Sequence, residues 1–385
     1  MEFSGKERVF ARIYLDNLAF NFNKAKELAG DRKVLAVVKA DAYGHGVLPV
    51  ARELEAAGAD YFAVATAQEA LELRDNGIDT PILILGYIPP ECVLELAERS
   101  ITVSIGGIEE AREYEDKLGN QKIKAHIKVD TGMSRLGIDA HDPKEAASEI
   151  AEIAELENIY IEGIFTHFAS ADTKKGEKFT KIQYDRFTKT IDEAQKLNVN
   201  FCIKHCANSA AVIQYKKVHM DMVRAGIMLY GAPPDDEMAN ACELKPVMTL
   251  CTKVARVRDI CKEDSVSYGC LWSPEKKSKI ATCMIGYADG LHRNLSGKFC
   301  MTVNGESAPQ VGRICMDMCM IDLTDKMNVD VGSEVEIFGK ANPIENMAQL
   351  AGTISYELTC AVSKRVPRMY IKDGKVYEKE LLLRG

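Results

Sequence analysis

The stretch VLAVVKADAYGHG (34–46) decides how the chain is read: five apolar residues run unbroken into Lys39, and a polar, glycine-containing segment follows at once. A continuous apolar run marks a strand buried on both faces, as in a parallel sheet covered by helices. The pattern recurs in YFAVAT (61–66), PILILG (81–86), SITVSI (100–105), KAHIKVD (124–130), IYIEGIFTH (159–167), FCIKHCA (201–207) and MDMVRAG (220–226). Between most of these runs lie amphipathic stretches such as LPVARELEAAGAD (48–60) and TKIQYDRFTKTIDEAQKLN (180–198). Eight such strands joined by crossovers predict an α/β fold, a TIM-type (β/α)8 barrel over residues 10–235. A doubly wound open sheet is the alternative that pattern leaves standing.

The texture changes at Pro233-Pro234-Asp235-Asp236. Short alternating runs follow: VMTLCTKVARVRDI (247–260), KIATCMIGYAD (279–289), CMTVNGESAPQV (300–311), CMIDLTD (319–325) and SEVEIFG (333–339). Turn residues separate them, as at Asn304-Gly305 and Val331-Gly332-Ser333. Residues 240–385 are therefore expected to form a mostly antiparallel β domain, with a helical insert at 345–363 and the first ~10 residues of the chain as candidates to pack with it.

Composition narrows the function. With 46% hydrophobic and 28% charged residues, the 385-residue chain has the balance of a soluble globular protein. Its net charge of -8 offers no electrostatic footprint for nucleic acid or an anionic membrane. No apolar stretch is long enough to span a bilayer, and the N-terminus lacks a secretory h-region, so a cytoplasmic location is expected. Cys202, Cys251, Cys283, Cys315 and Cys360 sit singly in apolar surroundings and read as buried thiols. Cys202, His205 and Cys206 are the best local metal cluster, but they lie on a strand-like run and no metal is expected.

In a barrel, chemistry collects at the C-terminal ends of the strands. Those ends carry Lys39 with Tyr43, Asp130 to Arg135, His167, Asn208-Ser209, and Arg224 with Gly226. Lys39 is either a lysine snorkelling at the barrel mouth or a Schiff-base lysine whose partial burial leaves a neutral, nucleophilic amine. Ser209 is either an ordinary N-cap or part of a phosphate site where a helix begins. Tyr268, Tyr287, Arg135 and His167 each have a bland reading too, as a turn tyrosine, a core aromatic, a surface ion-pair partner and a strand-end polar group. Their joint occurrence argues for a site.

VKADAYGHG (38–46) resembles the cofactor-lysine signature of the alanine racemase family. The resemblance continues, in the family's order, through KVDTGMSR (128–135), ANSAA (207–211), VRAGI (223–227), SYG (267–269), GYADG (286–290) and GRICMD (312–317). It implies a pyridoxal 5'-phosphate-dependent enzyme, a barrel followed by a β domain, acting as a homodimer with shared active sites and making D-alanine for cell-wall peptidoglycan. By that resemblance Lys39 would hold the cofactor and act as one base, with Tyr268 of the partner subunit as the other. Arg224 would face the cofactor ring. Tyr43, Asn208, Ser209, Gly226, Ile227 and Tyr356 would hold the cofactor with it, and His167 would link Arg224 to Tyr268. Arg135 and Met316 would meet the substrate carboxylate. Tyr287, Arg293, Arg313 and Asp172 would line the entrance, and Lys128 matches a lysine often carbamylated in the family.

Racemisation needs two acid–base groups on opposite faces of the α-carbon. A phenol needs help to act as a base near neutrality, and the His167–Arg224 pair could favour the phenolate. Leu291-His292 and Met318-Cys319 depart from the family's usual residues, so a serine or broader amino-acid racemase remains an alternative. A decarboxylase should lack the second base. A non-catalytic pyridoxal-phosphate-binding protein would not need the β domain.

Overall fold

The computed structural model describes residues 7–324 and 328–380. Asp325, the last residue of CMIDLTD, and the two chain ends (1–6 and 381–385) of the expected β domain lie outside the described residues. The chain divides into two compact units. One comprises residues 19–42 and 47–244; the other comprises residues up to 18, residues 43–46 and residues from 245 onward.

Strand β1 (Val9–Tyr14) opens the chain and belongs to the second of these units. The first unit contains β2 (Lys33–Val37), β3 (Tyr61–Val64), β4 (Ile82–Ile84), β5 (Val103–Ile105), β6 (Ile123–Asp130), the short β7 (Ile138–Asp139), β8 (Ile159–Phe165), β9 (Ile203–His205) and β10 (Met222–Ala225). Parallel pairing runs β10-β2-β3-β4 and β5-β6-β8-β9. The two arcs join through Ile84 N to Thr102 O at 3.0 Å and through Arg224 N to Ala207 O at 2.9 Å. The sheet therefore closes on itself, and the open-sheet alternative falls away. Closure follows from the uniform apolar runs: the described residues of β3, β4, β5 and β10 are all buried, so no strand face is left for water.

The other unit is a nine-stranded sheet of β1 with β11 (Met248–Ile260), β12 (Ser278–Cys283), β13 (Cys300–Val303), β14 (Glu306–Val311), β15 (Cys319–Asp322), β16 (Glu334–Phe338), β17 (Arg368–Lys372) and β18 (Lys375–Glu380). All its pairings are antiparallel except β1 with β17. Asn304 (φ 51°) and Gly305 (φ 80°) make the two-residue turn between β13 and β14, as their left-handed preference requires. The stretch expected as one helical insert forms two short helices, Ile344–Ala351 and Ser355–Cys360, separated by Gly352 at φ 72°.

The cysteines correct one expectation. None of the twelve is in a disulfide; Cys251 and Cys283 are buried and Cys315 is half-buried, but Cys202 and Cys360 are exposed. Cys202 lies just ahead of β9, where strand alternation turns it away from buried Phe201 and Ile203, and Cys360 ends a short helix on its outer side.

Candidate active site

In the barrel unit, Lys39 is half-buried and directly follows the buried run that ends at Val38. The next four residues, Ala40 to Tyr43, have φ between 51° and 56°, a left-handed turn of non-glycine residues. Such a turn costs roughly 1–2 kcal/mol per residue, so it needs fixed anchors. Glu69 accepts from Ala40 N at 2.6 Å, and Asp41 accepts from Val47 N at 2.7 Å. The turn points the chain away from the strand immediately after Lys39, leaving the lysine at the strand end.

Arg224 leaves β10, the strand paired with β2, and is 3% exposed. Its Nη1 donates to His205 O at 3.1 Å and meets His205 Nδ1 at 2.9 Å. Its Nη2 donates to Thr166 O at 2.7 Å and Cys206 O at 3.2 Å, and lies 3.2 Å from His167 Nδ1. All these partners are neutral acceptors, and Nε makes no hydrogen bond within the described residues. Burial draws the guanidinium down to about 10. Burial and the Arg224 charge, with further contributions from Arg135, Lys39 and Lys128, hold His167 neutral.

Lys128 is 7% exposed, donates to Leu85 O at 3.2 Å and stands over the Phe165 ring. Burial, reinforced by Arg135, Arg224 and Lys39, pushes its ammonium down to about 8. Arg135 is exposed and follows a tight turn in which Asp130 accepts from the amides of Gly132, Met133, Ser134 and Arg135. Ser209 is not the N-cap: Asn208 caps the helix Ser209–Gln214 by accepting from Ala211 N at 3.1 Å. This frees the Ser209 hydroxyl, which accepts from Gly226 N at 2.9 Å, and buried Ile227 follows Gly226. Asp172 is half-buried after β8.

The second unit gathers its own candidates. Tyr268 is 70% exposed on a turn whose neighbours Ser267, Gly269 and Cys270 all have positive φ. Ser267 Oγ donates to Arg313 O at 2.6 Å. Tyr287 N and Ala288 N donate to Cys315 O and Met316 O, both at 3.0 Å, so the segments bearing Tyr268, Arg313, Met316 and Tyr287 are tied together. A Cβ at Gly286 would meet both of those carbonyls at 2.3 Å, which requires glycine there. Met316 is 54% exposed, and Arg293 is exposed on a short helical turn. Buried Tyr43 faces Tyr356 with ring centroids 5.9 Å apart, and burial raises the Tyr43 phenol so that it stays a hydrogen-bond donor.

The donor set in the barrel unit suits pyridoxal phosphate: a lysine at a strand end, a buried guanidinium with an N–H left over for a ring nitrogen, and the Ser209 hydroxyl, whose oxygen accepts from Gly226 N and whose proton is left for an anion. Sequence reading missed Glu69, His126 and Glu162, and considered His205 only as a metal ligand; all four buttress these groups. Their only sequence signal is a charged or imidazole side chain inside or beside an apolar run.

Comparison with known proteins agrees with this geometry. Residues 13–234 match the family model described as alanine racemase, N-terminal domain, and residues 247–370 match alanine racemase, C-terminal domain. The chain is 43% identical over 379 residues to alanine racemase 1 of Clostridium acetobutylicum, covering 96% of each. It is 43% identical to the alanine racemase of Methanococcus maripaludis, covering 94% of this chain and 98% of that one. The alanine racemase structure from Clostridium difficile 630 superposes with a TM-score of 0.93 at 38% identity, covering 98% of this chain and 99% of that one. That of Bacillus anthracis with bound L-Ala-P gives 0.92 at 36%, covering 98% of both. Two family models that together span nearly the whole chain, full-length relatives above 40% identity and a matching fold lead to one conclusion: the chain belongs to the alanine racemase family.

Proposed function

We propose that this protein interconverts L- and D-alanine with pyridoxal 5'-phosphate by a two-base exchange of the α-proton, in the cytoplasm, supplying D-alanine for cell-wall peptidoglycan. The observation that carries the reading is the buried Arg224 guanidinium, held by Thr166 O, His205 and Cys206 O and 3.2 Å from His167 Nδ1, with its Nε left for a ring nitrogen.

Lys39 would hold the cofactor and exchange a proton on one face of the substrate's α-carbon. Arg224 would meet the ring nitrogen through Nε, with Tyr43, His167, Asn208, Ser209, Gly226, Ile227 and Tyr356 around the cofactor. The cofactor, when bound, supplies the electron withdrawal that makes the α-proton acidic. A charged guanidinium at the ring nitrogen disfavours ring protonation, which tempers that withdrawal and favours simple proton return. Arg135 and Met316 would orient the carboxylate, while Tyr287, Arg293, Arg313 and Asp172 would line the approach.

Tyr268 would serve the opposite face from a second copy of the chain, in a homodimer. Its exposure, beside Leu271 at 66% and Met316 at 54%, supports a covered surface in the assembly. Lys128, with its amine partly neutral near pH 8, is the candidate for carbamylation. The domain reading of a barrel over 10–235 and a β domain over 240–385 shifts at its first bound, because β1 (Val9–Tyr14) pairs with β11 and β17 of the β unit.

The experiment is incubation of the cofactor-loaded protein with L-alanine and, separately, L-serine in deuterated water, following optical rotation and the α-proton signal. Loss of rotation with α-deuteration for alanine supports the reading. A clear preference for serine would make it a serine or broader racemase, and absence of exchange would leave a pyridoxal-phosphate-binding protein.

A further inference from the structure

Three side chains that the proposed reaction leaves unused stand in line behind Arg224. Arg224 Nη1 is 2.9 Å from His205 Nδ1, His205 Nε2 is 2.8 Å from His126 Nδ1, and His126 Nε2 is 3.2 Å from Glu162 Oε2. Both imidazoles are fully buried, and the Glu162 side chain is 13% exposed. The line passes through β10, β9, β6 and β8. It is built into the barrel: the β6–β8 register shifts between Ala125 and His126, and a Cβ at Gly163 would stand 2.8 Å from the His126 ring. Phe165 stacks on His205 with centroids 5.0 Å apart and the planes 10° from parallel.

The chemistry of the two ends dictates every proton between them. A guanidinium only donates, so His205 Nδ1 is bare. Burial and the Arg224 charge keep His205 neutral, so its single ring proton sits on Nε2 and points at His126 Nδ1. Burial keeps His126 neutral as well, so its proton sits on Nε2 and points at Glu162. Glu162 only accepts: the His126 hydrogen bond, with Tyr61 and Lys124 also donating, holds its carboxyl at about 2.

We propose that Glu162 is a positioning residue for the reaction: by accepting from His126 it fixes the tautomers of both histidines and so holds the Arg224 guanidinium with Nη1 on His205 and Nε toward the cofactor ring. This rests on reading Arg224 as the group that meets the ring. Without the acceptor, His126 and His205 can hold their protons the other way round, which would set His205 Nδ1–H against an Arg224 N–H and turn the guanidinium.

The test is ring 15N NMR of the histidine-labelled, cofactor-loaded enzyme, with kcat and KM measured alongside. Wild type is expected to show bare Nδ1 and protonated Nε2 at both His126 and His205. Glu162→Ala is expected to lose that state and to lower kcat about tenfold with KM for alanine little changed. Glu162→Gln, whose amide oxygen still accepts from His126, is expected to keep the tautomers and to stay within about threefold of wild-type kcat. A proton on His205 Nδ1 in wild type, a charged imidazolium at either position, or a folded Glu162→Ala with unchanged tautomers and kcat overturns the proposal. If Glu162→Ala does not fold, the wild-type tautomers and Glu162→Gln decide on the same terms. Failure of the two-base reading is distinguishable, because it would appear as unimpaired racemisation in Tyr268→Phe while the tautomer result stood.

Discussion

Glu69 accepts the backbone N–H of Ala40, the residue after Lys39, at 2.6 Å, while its other oxygen accepts from Ala65 N at 2.7 Å and Thr66 N at 3.3 Å. One carboxylate thus ties the start of the left-handed turn to a neighbouring strand end. Glu69→Gln keeps one accepting oxygen and loses the other, so either Ala40 or the Ala65–Thr66 pair goes without. The expected result is a fall in kcat of about tenfold at full cofactor content, a cost near 1.4 kcal/mol. Steady-state kinetics with a cofactor absorbance titration checks it, and an unchanged kcat would show that the turn holds without Glu69.

Asp289 is the buried hub of the β unit. It pairs with Arg8 at 2.5 Å and Arg365 at 2.8 Å and accepts from Gly286 N at 3.0 Å, directly beside Tyr287. Asp289→Ala leaves two guanidiniums without their shared anion and is expected to cost about 3–5 kcal/mol. Urea unfolding monitored in the far ultraviolet measures this, and a loss under about 1 kcal/mol would mean the pair is dispensable.

Acid should unfold the barrel unit through its histidines. Burial lowers His126, His167 and His205 below the free imidazole value of about 6.5, so in that window the unfolded chain binds more protons than the folded one. The stability is fully present above that value and is lost as pH falls below it. With His219, which burial also lowers, four such groups imply a slope approaching about 5 kcal/mol per pH unit. Urea midpoints falling progressively as pH drops below about 6.5 are expected, with His126→Asn removing about one proton from that slope. Equal slopes in both proteins would exclude His126 as a contributor.

Lys128 gives a chemical prediction. An amine drawn down to about 8 is substantially neutral in mildly alkaline buffer, and only the neutral amine adds carbon dioxide. Labelled 13C-bicarbonate should produce a carbamate resonance that Lys128→Met abolishes. A resonance surviving in the variant would assign the carbamate elsewhere.

Some of this was legible in the sequence and some was not, for physical reasons. The barrel was readable because YFAV, ILI, VSI and MVRA are buried on both faces and the remaining runs, though Lys124, Tyr160 and Cys202 face outward, still recur between amphipathic crossovers. The positions of Lys39 and His167 were readable because each stands where an apolar run stops, and that of Arg224 because a charge interrupts one. Strands β17 and β18 were not, since RMYIK and KVYEKE carry charges that look like a surface loop, and Arg368 is in fact buried against the carbonyls of Gly44, Val362, Ser363 and Val366. Glu162 was hidden for another reason. Within IYIEGIFTH it looks like an outward-facing residue, and the partner that gives it meaning, His126, lies 36 positions earlier. Asn208 rather than Ser209 capping its helix is likewise a matter of one backbone conformation, which composition does not encode.

Lys39 and Tyr268 are proposed to serve opposite faces of one carbon, and α-deuterium uptake from each enantiomer by Tyr268→Phe in deuterated water tests this. The variant is expected still to exchange the α-proton of D-alanine through Lys39, while exchange from L-alanine and net racemisation fall by about 10³-fold or more, the scale of a lost acid–base group. Equal exchange from both enantiomers with racemisation intact would contradict it and leave Lys39 as the base for both.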